Sequence, residues 1–430
     1  MQTFTKPFVS YAPNCYVAMV VLSWLMTANQ LSANPFKEGL EGRYVTIVSD
    51  SINEDNRARL IETLDQAVPL WAERLGVATA RLADFHFTAY VFSSRERMLE
   101  SSILPLSLPR FLNGIQVANQ AWLIRQKSDY ATAHLLLHEG VHTFMFWAFG
   151  QVGAGWFSEG FAEYFATHVW QDGSLQVGVI PQSRETSSYW GRIGLLKQAR
   201  IERRVPSIER IMSYQSSPTA ELETYAWCWA FVAMLDMYPE YRQIWQDSLQ
   251  DVALAEQAFN SNFKQRLQTG WDELNQRWRV WSWELDYGYD VERQQLPPIS
   301  SVARPRSADS FMIASNVGWQ PMLIGIARNA TLQFDSSGQV SLANEPKPWI
   351  SESDGVTLAY HNGLPLGELQ ATMLDSPAAQ DGWVAPLDVI SIGSTRELTV
   401  TGGVLLLRVN DFPDQRIDNR GAFKVKISLK

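Results

Sequence analysis

His138, Glu139 and His142 fall within "HLLLHEGVHTFMF" (134–146), a run whose remaining residues read as the buried face of a helix. On a helix, side chains four residues apart leave the same face about one turn apart, so His138 and His142 can grip one zinc ion. Glu139 then points beside them, where a carboxylate can take a proton from water acidified by the cation. The alternative is a core helix whose histidines are incidental. A catalytic zinc takes three protein ligands and keeps one position open. Downstream, "GWFSEGFAEYF" (155–165) supplies Glu159 and, one turn later, Glu163. A second helix could therefore offer Glu159 as the third ligand. Glu163, on the same face, could accept the other ring N–H of a ligand histidine and orient it. His134 lies one turn before His138. It is either an outer hydrogen-bonding group or a residue near solvent in the first helical turn, and the second expectation is the plainer one.

Two facing helices must position these residues, and the flanking sequence supplies candidates. "RYVTIVSD" (43–50) reads as a strand, "NEDNRARLIETLDQAVPLWAERLG" (53–76) as an amphipathic helix, and "FHFTAYVF" (85–92) as a second strand. "SRERMLESS" (94–102) reads as a short helix, and "GIQVANQAWLI" (114–124) as a third extended segment. Ser128 or Asp129 can cap the helix that carries the histidines. Residues 155–295 read as mainly helical, with "WFSEGFAEYFATHVW", "SYWGRIGLLKQARI" and "TAELETYAWCWAFVAMLDMY" among the helices. His168 falls off the face defined by Glu159 and Glu163, and His86 reads as structural. "LPPISSVARPRSADS" (296–310) has the proline and serine of a linker. From 311 to 430, short β-rich runs are broken by glycine, asparagine and aspartate, as in a β-sandwich.

"HEGVH…WFSEGFAEYF" resembles the gluzincin metallopeptidases, the peptidase MA-like group, including bacterial members whose second helix reads W-x-x-E-G-x-A-E-Y. The metzincin pattern does not fit, because Met145 and Ala148 stand where that group places a glycine and a third histidine. The gluzincin resemblance implies an α+β fold, with a mixed sheet and helical peptidase domain over 34–295. It implies His138, His142 and Glu159 as zinc ligands, Glu139 as general base, and Glu163 as the carboxylate behind a ligand histidine. "TYAWCWAFVAMLDMY" (224–238) is similar to an aminopeptidase segment whose tyrosine stabilises the tetrahedral intermediate. Tyr225 takes that role by resemblance, although Cys228 replaces the segment's glycine. "GIQVANQAWLI" lies where the family keeps the edge strand that binds substrate backbone, and it lacks the aminopeptidase G-x-M-E-N signature.

Near the end of the chain, "GGVLLLRVNDFPDQRIDNRGAFKVKI" (402–427) gathers Asp411, Asp418 and Asn419 around a loop closed by Gly421. Hard oxygen ligands in a turn suit calcium, and plain turn chemistry explains the same residues. The pattern is similar to calcium-dependent galactose-binding bacterial lectins. That resemblance implies an all-β domain over 311–430, calcium at Asp411, Asp418, Asn419 and the Gln415 carbonyl, and a glycan ligand. "YHNGLPLGEL" (360–369) would be the sugar-side segment, with His361 and Asn362 as its contacts.

The bulk numbers set outer limits. A chain of 430 residues accommodates two domains. Its net charge of −9 leaves no basic excess for a nucleic-acid partner. "YVAMVVLSWLMTA" (16–28) is short for a membrane span, so residues 1–33 read as a cleaved signal peptide and the protein as exported. Cys15 would leave with that segment. Cys228 then stays as the one cysteine, so no intramolecular disulfide forms. The expectation is an exported zinc peptidase acting on proteins or peptides, joined through the 296–310 linker to a lectin-like sandwich. The rival is a carbohydrate-binding or adhesion protein with a catalytically idle peptidase fold.

Overall fold

Helix α1 (Glu54–Arg74) starts where the Asn53 side chain accepts the Asn56 N–H, and the left-handed Gly76 follows its end. Its apolar face, with Leu64, Val68 and Trp71, is fully buried against the first sheet and against α3 (Asp129–Phe149). That sheet runs in the order β1 (Leu40–Glu41), β2 (Val45–Ser49), β3 (Phe87–Phe92), β5 (Gln120–Ile124), β4 (Gly114–Val117). Strands β2, β3 and β5 are parallel, with β1 and β4 antiparallel at the two edges. A short helix, α2 (Arg95–Glu100), follows β3 as its sequence predicts. These observations come from a computed structural model describing residues 39–430 apart from 51, 102, 106–107, 216–220, 300–301, 303, 305–307, 346 and 376–378. The expected signal peptide over 1–33 lies outside the described residues.

Two local expectations are corrected. Residues 114–124 are not one extended segment. The chain reverses at Ala118, whose φ is +53°, and β4 pairs back onto β5 as a hairpin. The helix expected to run through Trp170 stops sooner. α4 (Gly155–Ala166) ends at Thr167, and β6 (His168–Gln171) pairs with β7 (Ser174–Val177). β-branched Val169 and aromatic Trp170 favour the strand once the buried helix face has run out.

The rest of this half is helical: α5 (Arg192–Ile201), α6 (Ile208–Met212), α7 (Leu222–Met237), α8 (Pro239–Ser248), α9 (Glu256–Leu267) and α10 (Trp271–Glu284). Helices α3, α4 and α7 form its centre. Tryptophans 156, 227, 229, 245, 278 and 281 are almost completely buried here, where aromatic edges and faces interlock.

Beyond Ala308 the chain is β-rich, and the molecule as a whole is α+β. Two antiparallel sheets contribute to a second core. One contains Thr331–Ser337 paired with Arg420–Leu429, and the other contains Leu364–Leu374 paired with Gly403–Val409. Phe334, Val425, Leu369 and Leu407 meet between them. A third apolar cluster joins this region to α10 through Val280, Leu296, Ile299, Trp319 and Leu406. Beside it, buried Arg408 donates to Glu284 at 2.6 Å and lies over the Trp319 ring. All described residues fall in the unit Phe36–Lys430. Among them, no helix is long and apolar enough to cross a membrane.

Candidate metal centre

Ser128, not Asp129, caps α3: its hydroxyl accepts the Ala131 N–H and donates to the Ser188 carbonyl. Anchored there, the helix runs through the interior and ends at left-handed Gly150. Helix α4 packs against both α3 and α7, and at Gly160 it nearly touches α7. A Cβ on Gly160 would lie 2.5 Å from Val232 Cγ2 and 2.8 Å from the Cys228 carbonyl oxygen. This close approach seats α4 so that Glu159 faces α3.

The result is a convergence of three donor atoms. His138 Nε2 and His142 Nε2 are 3.2 Å apart, and Glu159 Oε2 lies 3.3 Å from the first and 3.4 Å from the second. With zinc–nitrogen bonds near 2.05 Å, a tetrahedral site has edges of about 3.3 Å. The donors therefore occupy three corners of such a site, and their chemistry suits zinc. Burial alone would raise the Glu159 pKa. The His142 and His138 rings outweigh it and hold this carboxylate well below the usual range.

Each of the two histidines has an outer partner. His142 Nδ1 is 3.1 Å from Ser158 Oγ, and His138 Nδ1 is 3.5 Å from Glu163 Oε1. Such contacts fix the ring and leave the Nε2 lone pair for the cation. Glu163 is itself spanned by Arg192, whose Nε and Nη2 donate to its two oxygens at 3.1 and 2.8 Å. His134 Nε2 adds a further contact at 3.2 Å. Against the effect of burial, Arg192, His134 and His138 keep Glu163 ionised. His134 is thus not near solvent, as expected, but buried and bonded.

Glu139 faces the other side of the site. Burial pushes its carboxyl up to about 8. It packs against β4 so closely that a Cβ on Gly114 would lie 2.5 Å from Glu139 Oε1. Tyr225, on α7, approaches His138 edge-on with ring centroids 6.1 Å apart. Burial and the three glutamates raise its pKa, so the phenol stays a donor. Gly114, His138, Glu139 and Tyr225 form a wall shared by two cavities of about 250 and 160 Å³. The larger one contains His142, Ser158 and Glu159, and the smaller one contains His134, Trp190 and Arg192.

The structure thus gathers His138, His142, Glu159, Glu139, Glu163 and Tyr225 at one place. Sequence reasoning missed Ser158, Arg192 and Gly114. Ser158 precedes a ligand and could have been tested on a helical wheel. Arg192 and Gly114 carry no local signal, because they arrive from a distant helix and a sheet edge.

The other sequence-derived residues lie in the β-rich region. Asp411 and Asn419 meet: Asp411 Oδ2 accepts from Asn419 Nδ2 at 2.8 Å, and Oδ1 accepts from the Phe412 N–H. Buried Arg416 donates to the Asp411 carbonyl, and the Asp418 carbonyl accepts from Asn344. Gln415 N–H donates to the Phe412 carbonyl. Asn419 Oδ1 is buried without a hydrogen-bond partner, and the loop already contains a cation, Arg416. His361 packs on Phe412, and burial brings its pKa down to about 4. Asn362 and Gly363, both at positive φ, turn the hairpin between Asp354–His361 and Leu364–Leu374. An Asn-Gly pair serves such a turn without any ligand.

No protein-family model matches this chain, and no curated protein matches it. Solved structures similar to part of it include two of note. One is the EclA N-terminal domain, a PllA-like lectin: identity is 16%, the TM-score is 0.19, and the match covers 29% of this chain and 97% of that one. The other is PliG of Aeromonas hydrophila, a periplasmic inhibitor of g-type lysozyme, with 9% identity, a TM-score of 0.17, and 30% and 96% coverage. At these TM-scores neither likeness bears on fold or function.

Proposed function

We propose that this protein is a zinc-dependent peptidase. The observation that carries the reading is the meeting of His138 Nε2, His142 Nε2 and Glu159 Oε2 at tetrahedral-edge spacing, with Glu139 beside them. A zinc ion held there would supply Lewis-acid polarisation of a carbonyl and acidify water. Glu139 acts as general base and returns the proton to the departing amine. Tyr225 donates toward the oxygen on which negative charge develops. Ser158 and Glu163 hold the two imidazoles.

The peptide substrate class is supported by β4, which ends the sheet beside Glu139 and, among the described residues, pairs with a strand on one side alone. An extended chain can pair along such an edge and bring its carbonyl past the base. Calcium and sugar binding stay outside the proposal, because buried Arg416 already brings a positive charge to the Asp411 loop.

The test is Glu139→Gln. It should keep one zinc per chain and lose peptide hydrolysis by on the order of 10²- to 10⁴-fold. Hydrolysis within a few-fold of wild type would remove Glu139 from the mechanism. A wild-type protein that takes up no zinc would favour the rival, a carbohydrate-binding or adhesion protein with an idle fold.

A further inference from the structure

We infer that His134, the third histidine of the row on α3, is a positioning residue for the metal centre. Through Nε2 it holds the Glu163 carboxylate in the orientation that meets His138 Nδ1, and so aims the His138 lone pair. The inference rests on His138, His142 and Glu159 being the metal ligands.

His134 and His138 are one turn apart on one face of α3, and the single carboxylate of Glu163 on α4 spans both. Its Oε2 lies 3.2 Å from His134 Nε2, and its Oε1 lies 3.5 Å from His138 Nδ1. Arg192 reaches the same two oxygens from α5, which neutralises the charge. That contact ties Glu163 to α5, not to α3, which carries the two histidines. His134 provides the tie to α3 itself, so ligand, carboxylate and anchor share two rigid helices.

The protons on the ring follow from its partners. An ionised Glu163 is acceptor-only, so His134 Nε2 must carry the hydrogen, and Nδ1 is left as a lone pair. Nδ1 is buried without a hydrogen-bond partner. A leucine would fill this interior without stranding a polar atom, whose burial is costly. The ring also meets Tyr130 and Trp190, but among the described residues the bond to Glu163 is the one hydrogen bond that this imidazole makes.

Zinc affinity, measured by competition with a chromogenic chelator, separates positioning from packing. In His134→Leu, affinity should fall by about 10- to 100-fold, the range for lost outer-shell partners. In His134→Gln, whose amide N–H reaches nearly as far as Nε2, it should stay within about threefold of wild type. The visible spectrum of the cobalt-loaded protein should shift in the leucine variant and resemble wild type in the glutamine variant. Wild-type affinity in the leucine variant, or equal weakness of both variants at unchanged circular dichroism, would overturn the inference. If His134→Leu does not fold, His134→Asn takes its place: asparagine is too short to reach Glu163 and should lose the affinity that glutamine keeps. A wild type that binds neither zinc nor cobalt would overturn the ligand assignment along with it. Zinc binding without peptide hydrolysis would leave His134 in its role and remove only the peptidase reading.

Discussion

At position 114 a hydrogen atom decides where the Glu139 carboxylate can sit. A methyl group there would meet Glu139 Oε1 at 2.5 Å and Leu135 Cδ1 at 3.0 Å, and one of the three must move. Glu139 is the group with room, because it borders both cavities. Gly114→Ala should therefore keep zinc and lose about 10- to 100-fold in kcat/KM, the scale for a misplacement near 1 Å. Kinetics of the zinc-loaded variant within twofold of wild type would show that Glu139 tolerates the shift. The motif residues themselves were legible in the sequence, since His138, Glu139 and His142 follow from helical spacing alone. The outer contacts were legible only where they share a helix with a ligand. Glu163 and Ser158 flank Glu159 in sequence, whereas Arg192 comes from another helix.

The element that carries Glu159 is α4, and its position depends on contact with α7. Gly160 permits that contact. In Gly160→Ala the new methyl would face the Cys228 carbonyl, part of a helix backbone that cannot rotate away. Forcing an extra carbon into such packing costs roughly 1–3 kcal/mol. The neighbouring Glu159 should be carried outward as well. The expected outcome is a lower melting temperature together with weaker zinc binding. A variant that loses stability but binds zinc as wild type would mean that the α3–α4 contact alone places Glu159. Helix α3 was readable from its apolar run and its Ser128 cap, because both signals are local. The hairpin of β4 and β5 was not, since its turn at Ala118 and Asn119 lacks glycine and requires a positive φ from alanine.

At the scale of the whole molecule, burial of a neutral histidine sets a limit on acid stability. His168 stacks on Tyr130, and its Nδ1 is 2.8 Å from the Ala166 carbonyl. Burial, the largest influence, brings its pKa down from 6.5 to about 4. Between those values the unfolded chain binds a proton that the folded chain does not. Stability is therefore full above about pH 6.5 and falls as pH drops toward 4, by up to roughly 3 kcal/mol from this group. Denaturant melts of wild type and His168→Gln at pH 7 and pH 5 check this: the loss on acidification should be smaller in the variant. An equal loss in both would assign the acid sensitivity to other groups.

The sequence by itself determined the His138, His142 and Glu159 donor set, the α+β class and the change from helices to strands near residue 308. Each is written in spacing, composition or periodicity within a short window, where neighbouring residues decide the outcome. Only the tertiary structure decided that His134 is interior, that Arg192 and Gly114 belong to the centre, and that Arg408 reaches back from the β-rich region to Glu284. These depend on side chains far apart in the chain competing for the same buried volume and charge. Long-range packing settles that competition, and no local pattern records it.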